Sequence, residues 1–283
     1  MATHDEGRFK GEGGVEIYWQ AWLPPDEPRA AIVLAHGASE HSGRYAWTGE
    51  ELTKRGYAVY AIDHRGHGRS DGPRAVIDRM ANAVEDLHTL VEKAAGKHPG
   101  RPLVLLGHSM GGAVALSYTI EHEDALDALV LSGPLAALEA ASPVQRAAGR
   151  VLSVVAPNLG VVGIDSTAVS RDPKVVEDYD ADPLNYHGKL PARTVAELTQ
   201  AIDGYPDAVE RFKLPMLVMH GGADRLTPIA GSQMVVERAA SEDKKFIRYD
   251  ELFHEILNEP ERQQVLDDIA GWLDARFPAT GPS

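Results

Sequence analysis

Pro102-Leu103-Val104-Leu105-Leu106-Gly107-His108-Ser109-Met110-Gly111-Gly112-Ala113-Val114-Ala115-Leu116-Ser117-Tyr118 is the stretch that decides how this chain folds. Its first residues form a short apolar run bounded by proline and glycine, the pattern of a buried strand. The Gly/Ala-rich run that begins at Met110 predicts a helix lying close against a sheet. Ser109 then stands on the sharp turn between them. Such a turn holds a serine hydroxyl at the tip of a sheet, next to helix amides that favour developing negative charge. Glycines at 107 and 111 suit backbone too crowded for a Cβ.

The same G-x-S-x-G spacing recurs in Gly68-Arg69-Ser70-Asp71-Gly72. Context separates the two. Ser70 follows Asp63-His64-Arg65-Gly66-His67-Gly68, a polar, glycine-rich loop, and Pro73 comes directly after the motif. A nucleophilic serine on this kind of turn needs a strand before it and a helix after it. Ser109 has both, so Ser70 is read as a loop residue.

Outward from the turn, strand-like apolar runs recur at residues 30–35, 57–62, 128–131 and 216–219, with a more polar one at 245–249. Helical patterns separate most of them, at about 44–55, 81–96, 110–122, 232–240 and 260–277. An N-terminal hairpin is predicted over residues 7–22, turning at Gly11-Glu12-Gly13-Gly14. The alternation predicts an α/β fold with a mainly parallel sheet covered on both faces. It breaks between about 135 and 212, where prolines punctuate the chain and no strand is predicted. Residues 144–155 there carry apolar side chains at helical spacing, which predicts a helical insertion over the edge of the sheet. The expected organisation is core at 1–134, cap at 135–212 and core again at 213–283.

The length of 283 residues suits one large α/β domain with an insertion. There are no cysteines, which excludes disulfides and thiol catalysis. The formal net charge of −14 opposes nucleic-acid binding and electrostatic adhesion to anionic lipid. Met1-Ala2-Thr3-His4-Asp5-Glu6 has neither the basic segment nor the apolar stretch of a signal peptide, and no apolar run is long enough to span a bilayer. A cytoplasmic location is the expectation.

A serine hydroxyl is a poor nucleophile near neutral pH. It needs a base, and the base needs an orienting acid. The turn at Ser109 resembles that of the α/β-hydrolases, and the resemblance implies that the acid and then the histidine follow in chain order. Of the twelve histidines, only His254 lies beyond the best acid candidate, in Asp250-Glu251-Leu252-Phe253-His254-Glu255. His36, His64, His67 and His108 are read as holding loops through hydrogen bonds, and His88, His98 and His122 as helix-surface or loop positions. Asp224 is the predicted acid, because it lies in the loop leaving the strand at 216–219, and catalytic groups gather outside such strand ends. Asp203, Asp207 and Glu251 are its rivals. For an oxyanion hole, one donor is the amide after the nucleophile, Met110. The other is the amide of Ala38, in the loop that follows an early strand. Neither a metal nor an organic cofactor is implied.

With these residues in place, the chain resembles the monoacylglycerol lipase family of the α/β-hydrolase superfamily, bacterial members most of all. His36-Gly37-Ala38-Ser39-Glu40-His41-Ser42-Gly43-Arg44-Tyr45 carries that likeness, together with Asp63 to Ser70, the turn at Ser109, Ile164-Asp165-Ser166, Asp182-Pro183-Leu184 and Gly222-Ala223-Asp224-Arg225-Leu226. Ser39 is a departure, since the family often has glycine there. The resemblance implies an eight-stranded, mainly parallel sheet with a helical cap. It also implies a serine hydrolase that cleaves monoacylglycerols to glycerol and a fatty acid. Lysophospholipase, carboxylesterase and proline-type peptidase activities remain alternatives on the scaffold, and a non-catalytic binding protein is the remote one. The resemblance further implies that Glu40, Arg44 and Tyr179 lie near the glycerol headgroup, although Glu40 and Arg44 equally suit an ion pair with each other. It implies a cap helix that touches a lipid or membrane surface, and the same apolar face also suits a homodimer.

Overall fold

The computed structural model describes residues 2–138 and 143–278. Met1, residues 139–142 and residues 279–283, which the expected segment bounds include, lie outside the described residues. In chain order the first elements are β1 (Thr3–Lys10), β2 (Glu16–Leu23), β3 (Ala31–Ala35), α1 (Ala46–Lys54), β4 (Ala58–Ile62), α2 (Met80–Lys97), β5 (Leu103–His108), α3 (Met110–His122) and β6 (Ala128–Ser132). The next are α4 (Pro143–Val155), β7 (Gly160–Val162), α5 (Pro173–Ala181), β8 (Leu190–Pro191) and α6 (Ala192–Ala208). The chain then completes the sheet with β9 (Met216–Gly221), α7 (Ile229–Arg238), β10 (Lys244–Tyr249) and α8 (Arg262–Asp274).

Eight strands form one sheet in the order β1-β2-β4-β3-β5-β6-β9-β10. The hairpin β1–β2 joins it antiparallel through β4, and every pairing from β4 to β10 is parallel. The strands read as continuous apolar runs because both faces are covered. Val33 and Leu105 point into a core shared with α2, α3 and α6. Ile32, Leu34, Val104 and Leu106 point the other way, toward α1 and α8. Each fully buried aliphatic side chain contributes about 1.5–3 kcal/mol, which fixes the register as well as the fold. β10 lies at the sheet edge, which accounts for its more polar sequence.

The segment between β6 and β9 differs from the sequence expectation in one respect. β7 and β8 pair antiparallel, Gly160 with Pro191 and Val162 with Leu190. These strands are three and two residues long, too short for alternation to show in the sequence. The prolines there mark helix starts more than breaks. Pro143 and Pro173 begin α4 and α5, and Pro191 caps α6. Two other helices begin off the predicted positions for the same kind of reason. Pro228 caps α7, which therefore starts at Ile229, and α8 starts two residues beyond Pro260, at Arg262. α4 turns Val151, Val154 and Val155 outward, with exposures of 62%, 73% and 72%, so that this face does not pack on the core.

Candidate active site

β5 delivers Ser109 to the sheet's C-terminal edge in a conformation that a side chain rarely adopts, φ 53° and ψ −120°. The surroundings hold this strained turn in place. The Ser109 amide donates to Ser132 O at 3.1 Å, and the Leu135 amide donates to Ser109 O at 3.0 Å. A Cβ at Gly111 would lie 2.1 Å from the Ala35 carbonyl oxygen, so only glycine lets the first turn of α3 approach β3 this closely. His108 is locked beneath the turn, its Nδ1 2.9 Å from Ser132 O. Burial and the neighbouring His254 push its pKa down to about 4. Ser70 has no such setting. Its hydroxyl donates to Asp63 O at 2.6 Å and accepts from the Tyr18 amide at 2.8 Å, which occupies it in holding its loop.

Asp224 leaves the end of β9, and His254 lies in the loop between β10 and α8. His254 Nδ1 is 2.7 Å from Asp224 Oδ2. The amides of Leu226 and Thr227 donate to Asp224 Oδ1 at 2.7 and 3.0 Å, and the Thr227 hydroxyl donates to Oδ2 at 2.8 Å. Burial alone would push the Asp224 carboxyl up. The His254 charge and the hydrogen bonds of His220, His254 and Thr227 outweigh it and hold the carboxyl far below the usual range. Burial would likewise depress His254, yet Asp224 overcomes it and raises the imidazole above its ordinary value.

The rivals lie elsewhere. Glu251 and Asp207 are exposed and face Arg171 and Arg238 at 3.7 and 3.6 Å, while Asp203 is on α6. Sequence reasoning missed His220 and Thr227 as supports. His220 Nε2 reaches Asp224 Oδ2 at 3.2 Å, and its Nδ1 lies 2.8 Å from the Ser232 hydroxyl. Their sole signal was proximity to Asp224 in the sequence.

His36 Nδ1 donates to Gly37 O at 2.7 Å, and its Nε2 accepts the His64 amide at 3.0 Å, which anchors the loop that carries Ala38. His67 Nδ1 meets Arg65 O at 3.0 Å. His64 differs from expectation, since both of its ring nitrogens are buried without a partner and its backbone does the holding. Ala38, Ser109, Met110 and His254 all line one pocket. Met110 opens α3, so its own helix offers its amide no acceptor. Much of the remaining wall is apolar, with Leu135, Leu138, Val162, Ile164, Val169, Leu190, Val195 and Leu198 contributed from the segment between β6 and β9, while Glu40, Tyr179 and Glu255 add polar groups.

Residues 26–261 match the family described as serine aminopeptidase, S33. The chain is 45% identical to a monoacylglycerol lipase of Mycolicibacterium smegmatis over 273 residues, covering 96% of this chain and 98% of that one. The chain belongs to the monoglyceride lipase family of α/β-hydrolases. It is also 34% identical to phospholipase YtpA of Bacillus subtilis, over 90% of this chain and 98% of that protein. The crystal structure of Paleococcus ferrophilus monoacylglycerol lipase superposes with a TM-score of 0.82 at 30% identity, covering 92% of this chain and 98% of that one.

For a member of the monoglyceride lipase family, Ser39 is costly. Its φ is 64°, and its buried hydroxyl has no partner. Ser39→Gly should therefore stabilise the protein by about 1 kcal/mol, because relieving the left-handed strain and the unmet hydroxyl exceeds the added chain entropy. Thermal melting checks this, and a lower melting temperature contradicts it.

The three residues expected near the headgroup are all found beside the pocket. Glu40 Oε2 accepts Arg44 at 2.8 Å, and Oε1 accepts the Gly37 amide at 2.6 Å and the Tyr45 hydroxyl at 2.7 Å. Tyr179 lies over the Arg44 guanidinium, with 4.8 Å to its ring centroid. Among the described residues, Glu40 and Tyr179 contribute to the pocket wall and Arg44 does not.

Proposed function

We propose that this protein hydrolyses monoacylglycerols to glycerol and a free fatty acid through an acyl-enzyme on Ser109. The observation that carries the proposal is a largely apolar pocket lined by both Ser109 and His254, with His254 held by Asp224. An ester carbonyl fits beside Ser109 and an acyl chain along the apolar wall. In this mechanism His254 takes the Ser109 proton as the hydroxyl attacks. Asp224 keeps the proton on Nδ1 and stabilises the charged ring. The Ala38 and Met110 amides hold the oxyanion. Protonated His254 then gives its proton to the departing glycerol oxygen, and neutral His254 activates the water that releases the fatty acid.

The names of the relatives support this substrate, one of them a monoacylglycerol lipase at 45% identity. The 34% identical relative named a phospholipase favours a lysophospholipid as the second reading. The test compares kcat/KM for a monoacylglycerol, a lysophosphatidylcholine and a prolyl anilide under one condition. The monoacylglycerol should lead. Preference for the lysophospholipid or the anilide overturns the reading.

The proposal divides the chain into a core at 1–134 and 213–283 and a cap at 135–212 that presents α4 to lipid. Its support is the outward face of Val151, Val154 and Val155, continued by Leu159 at 51% exposure. No helix among the described residues is long and apolar enough to cross a membrane. Neutral phosphatidylcholine vesicles should therefore co-sediment with the wild type and release the Val151→Glu/Val154→Glu variant. Equal binding of both, or a dimer that dissociates on the same substitutions, contradicts lipid contact as the role of this face.

A further inference from the structure

Arg44 stands where its own loop meets the distant loop that carries His254. Its Nη1 donates to Glu40 Oε2 at 2.8 Å and to Glu255 Oε1 at 2.6 Å, and its Nη2 donates to Glu255 Oε2 at 2.7 Å. The pairing with Glu255 is therefore two-pronged, the geometry in which guanidinium best fixes a carboxylate. Glu40 and Glu255 are buried, with 2% and 6% of their side chains exposed, and Arg44 is nearly so at 10%. Glu40 also grips the Gly37 amide, one residue before Ala38. Glu255 directly follows His254, and its own amide donates to Val169 O at 2.8 Å. One cation thus ties the loop bearing the Ala38 amide to the loop bearing the histidine base. Glu40 and Glu255 reach the pocket wall, with Arg44 behind them.

We infer that Arg44, through Glu40 and Glu255, is a positioning residue that locks the oxyanion loop to the His254 loop, and that it does not serve as a ligand for the glycerol headgroup. A buried ion pair of this kind adds little net stability but fixes one arrangement. Burial disfavours the charged form of Arg44, and the two carboxylates more than reverse this, so the cation is retained across the working pH range. A displacement of an ångström between amide and base costs about 10²-fold in rate. The loss falls on kcat, because these groups act on the transition state, and not on KM.

The inference rests on Ser109 as nucleophile. Its test measures kcat, KM and melting temperature for Arg44→Met, Arg44→Lys and Glu255→Gln. The substrates are a monoacylglycerol and p-nitrophenyl butyrate, which has no glycerol. Arg44→Met should lose about 10²-fold in kcat on both esters while KM stays within about threefold. Arg44→Lys keeps the charge but not the fork and should fall between Arg44→Met and wild type, as should Glu255→Gln. These two near-isosteric variants carry the test if Arg44→Met does not fold. A rise in KM confined to the monoacylglycerol makes Arg44 a headgroup ligand and overturns the inference. A lower melting temperature with unchanged kcat makes it a structural strut and overturns it too. Full activity of Ser109→Ala would instead remove the reading on which the inference rests, a result distinct from either.

Discussion

Ser109→Ala should lower kcat for ester hydrolysis by about 10⁶-fold and leave the fold intact. The magnitude follows from losing the covalent route altogether, since His254 and Asp224 have nothing to activate without the hydroxyl. What remains is the oxyanion site and substrate binding, which still favour attack by water by about 10³–10⁴-fold over solution. Alanine also fits the local backbone poorly, because φ at 109 is 53° for either side chain. The melting temperature should therefore stay near that of the wild type, as the strain is common to both. Steady-state kinetics with circular dichroism check both halves. A variant that keeps more than a few per cent of wild-type turnover moves the chemistry to another residue.

Asp224→Asn is the second large effect, a loss of about 10⁴-fold in kcat near neutral pH. The amide can still meet the Leu226 and Thr227 amides, but it offers its NH₂ where His254 Nδ1–H needs an acceptor. The imidazole then loses its productive tautomer. The change also moves the pH profile. In the wild type Asp224 raises His254 above its ordinary value of about 6.5 in spite of burial, and the proposed mechanism needs the neutral ring. Wild-type kcat/KM should therefore fall as pH drops through a value above 6.5. Without the carboxylate charge, burial dominates and the acidic limb moves to lower pH. A limb that stays in place, or moves up, contradicts the role given to Asp224.

The sheet was legible because its strands are short, apolar and separated by helical spacing, so the residues that bury themselves are also those that mark the pattern. The place of Ser109 on its turn and the approach of His254 to Asp224 were legible for a related reason. Ser109, Asp224 and His254 each follow a strand, and their order along the chain is the one that the α/β-hydrolase scaffold uses. β7 and β8 escaped because two or three residues cannot show alternation. The outward face of α4 was not decided either, since apolar spacing alone does not say which side meets a neighbour. The Arg44–Glu255 pair spans 211 residues, a contact that no local pattern encodes. His220 illustrates the same limit. Its place at the end of β9 was visible, but its approach to Asp224 Oδ2 depends on the loop curling back over the strand end.

The recurrence of one motif at Ser70 and Ser109 lets covalent labelling decide between the two serines. A long-chain alkyl fluorophosphonate resembles the acyl portion of the proposed substrate and leaves a stable adduct on an activated serine. Peptide mapping by mass spectrometry after such labelling should find one adduct per chain, on Ser109, and excess monoacylglycerol should slow its formation. An adduct on Ser70, or labelling that monoacylglycerol does not slow, would contradict the assignment of Ser109 and its pocket as the site of the reaction.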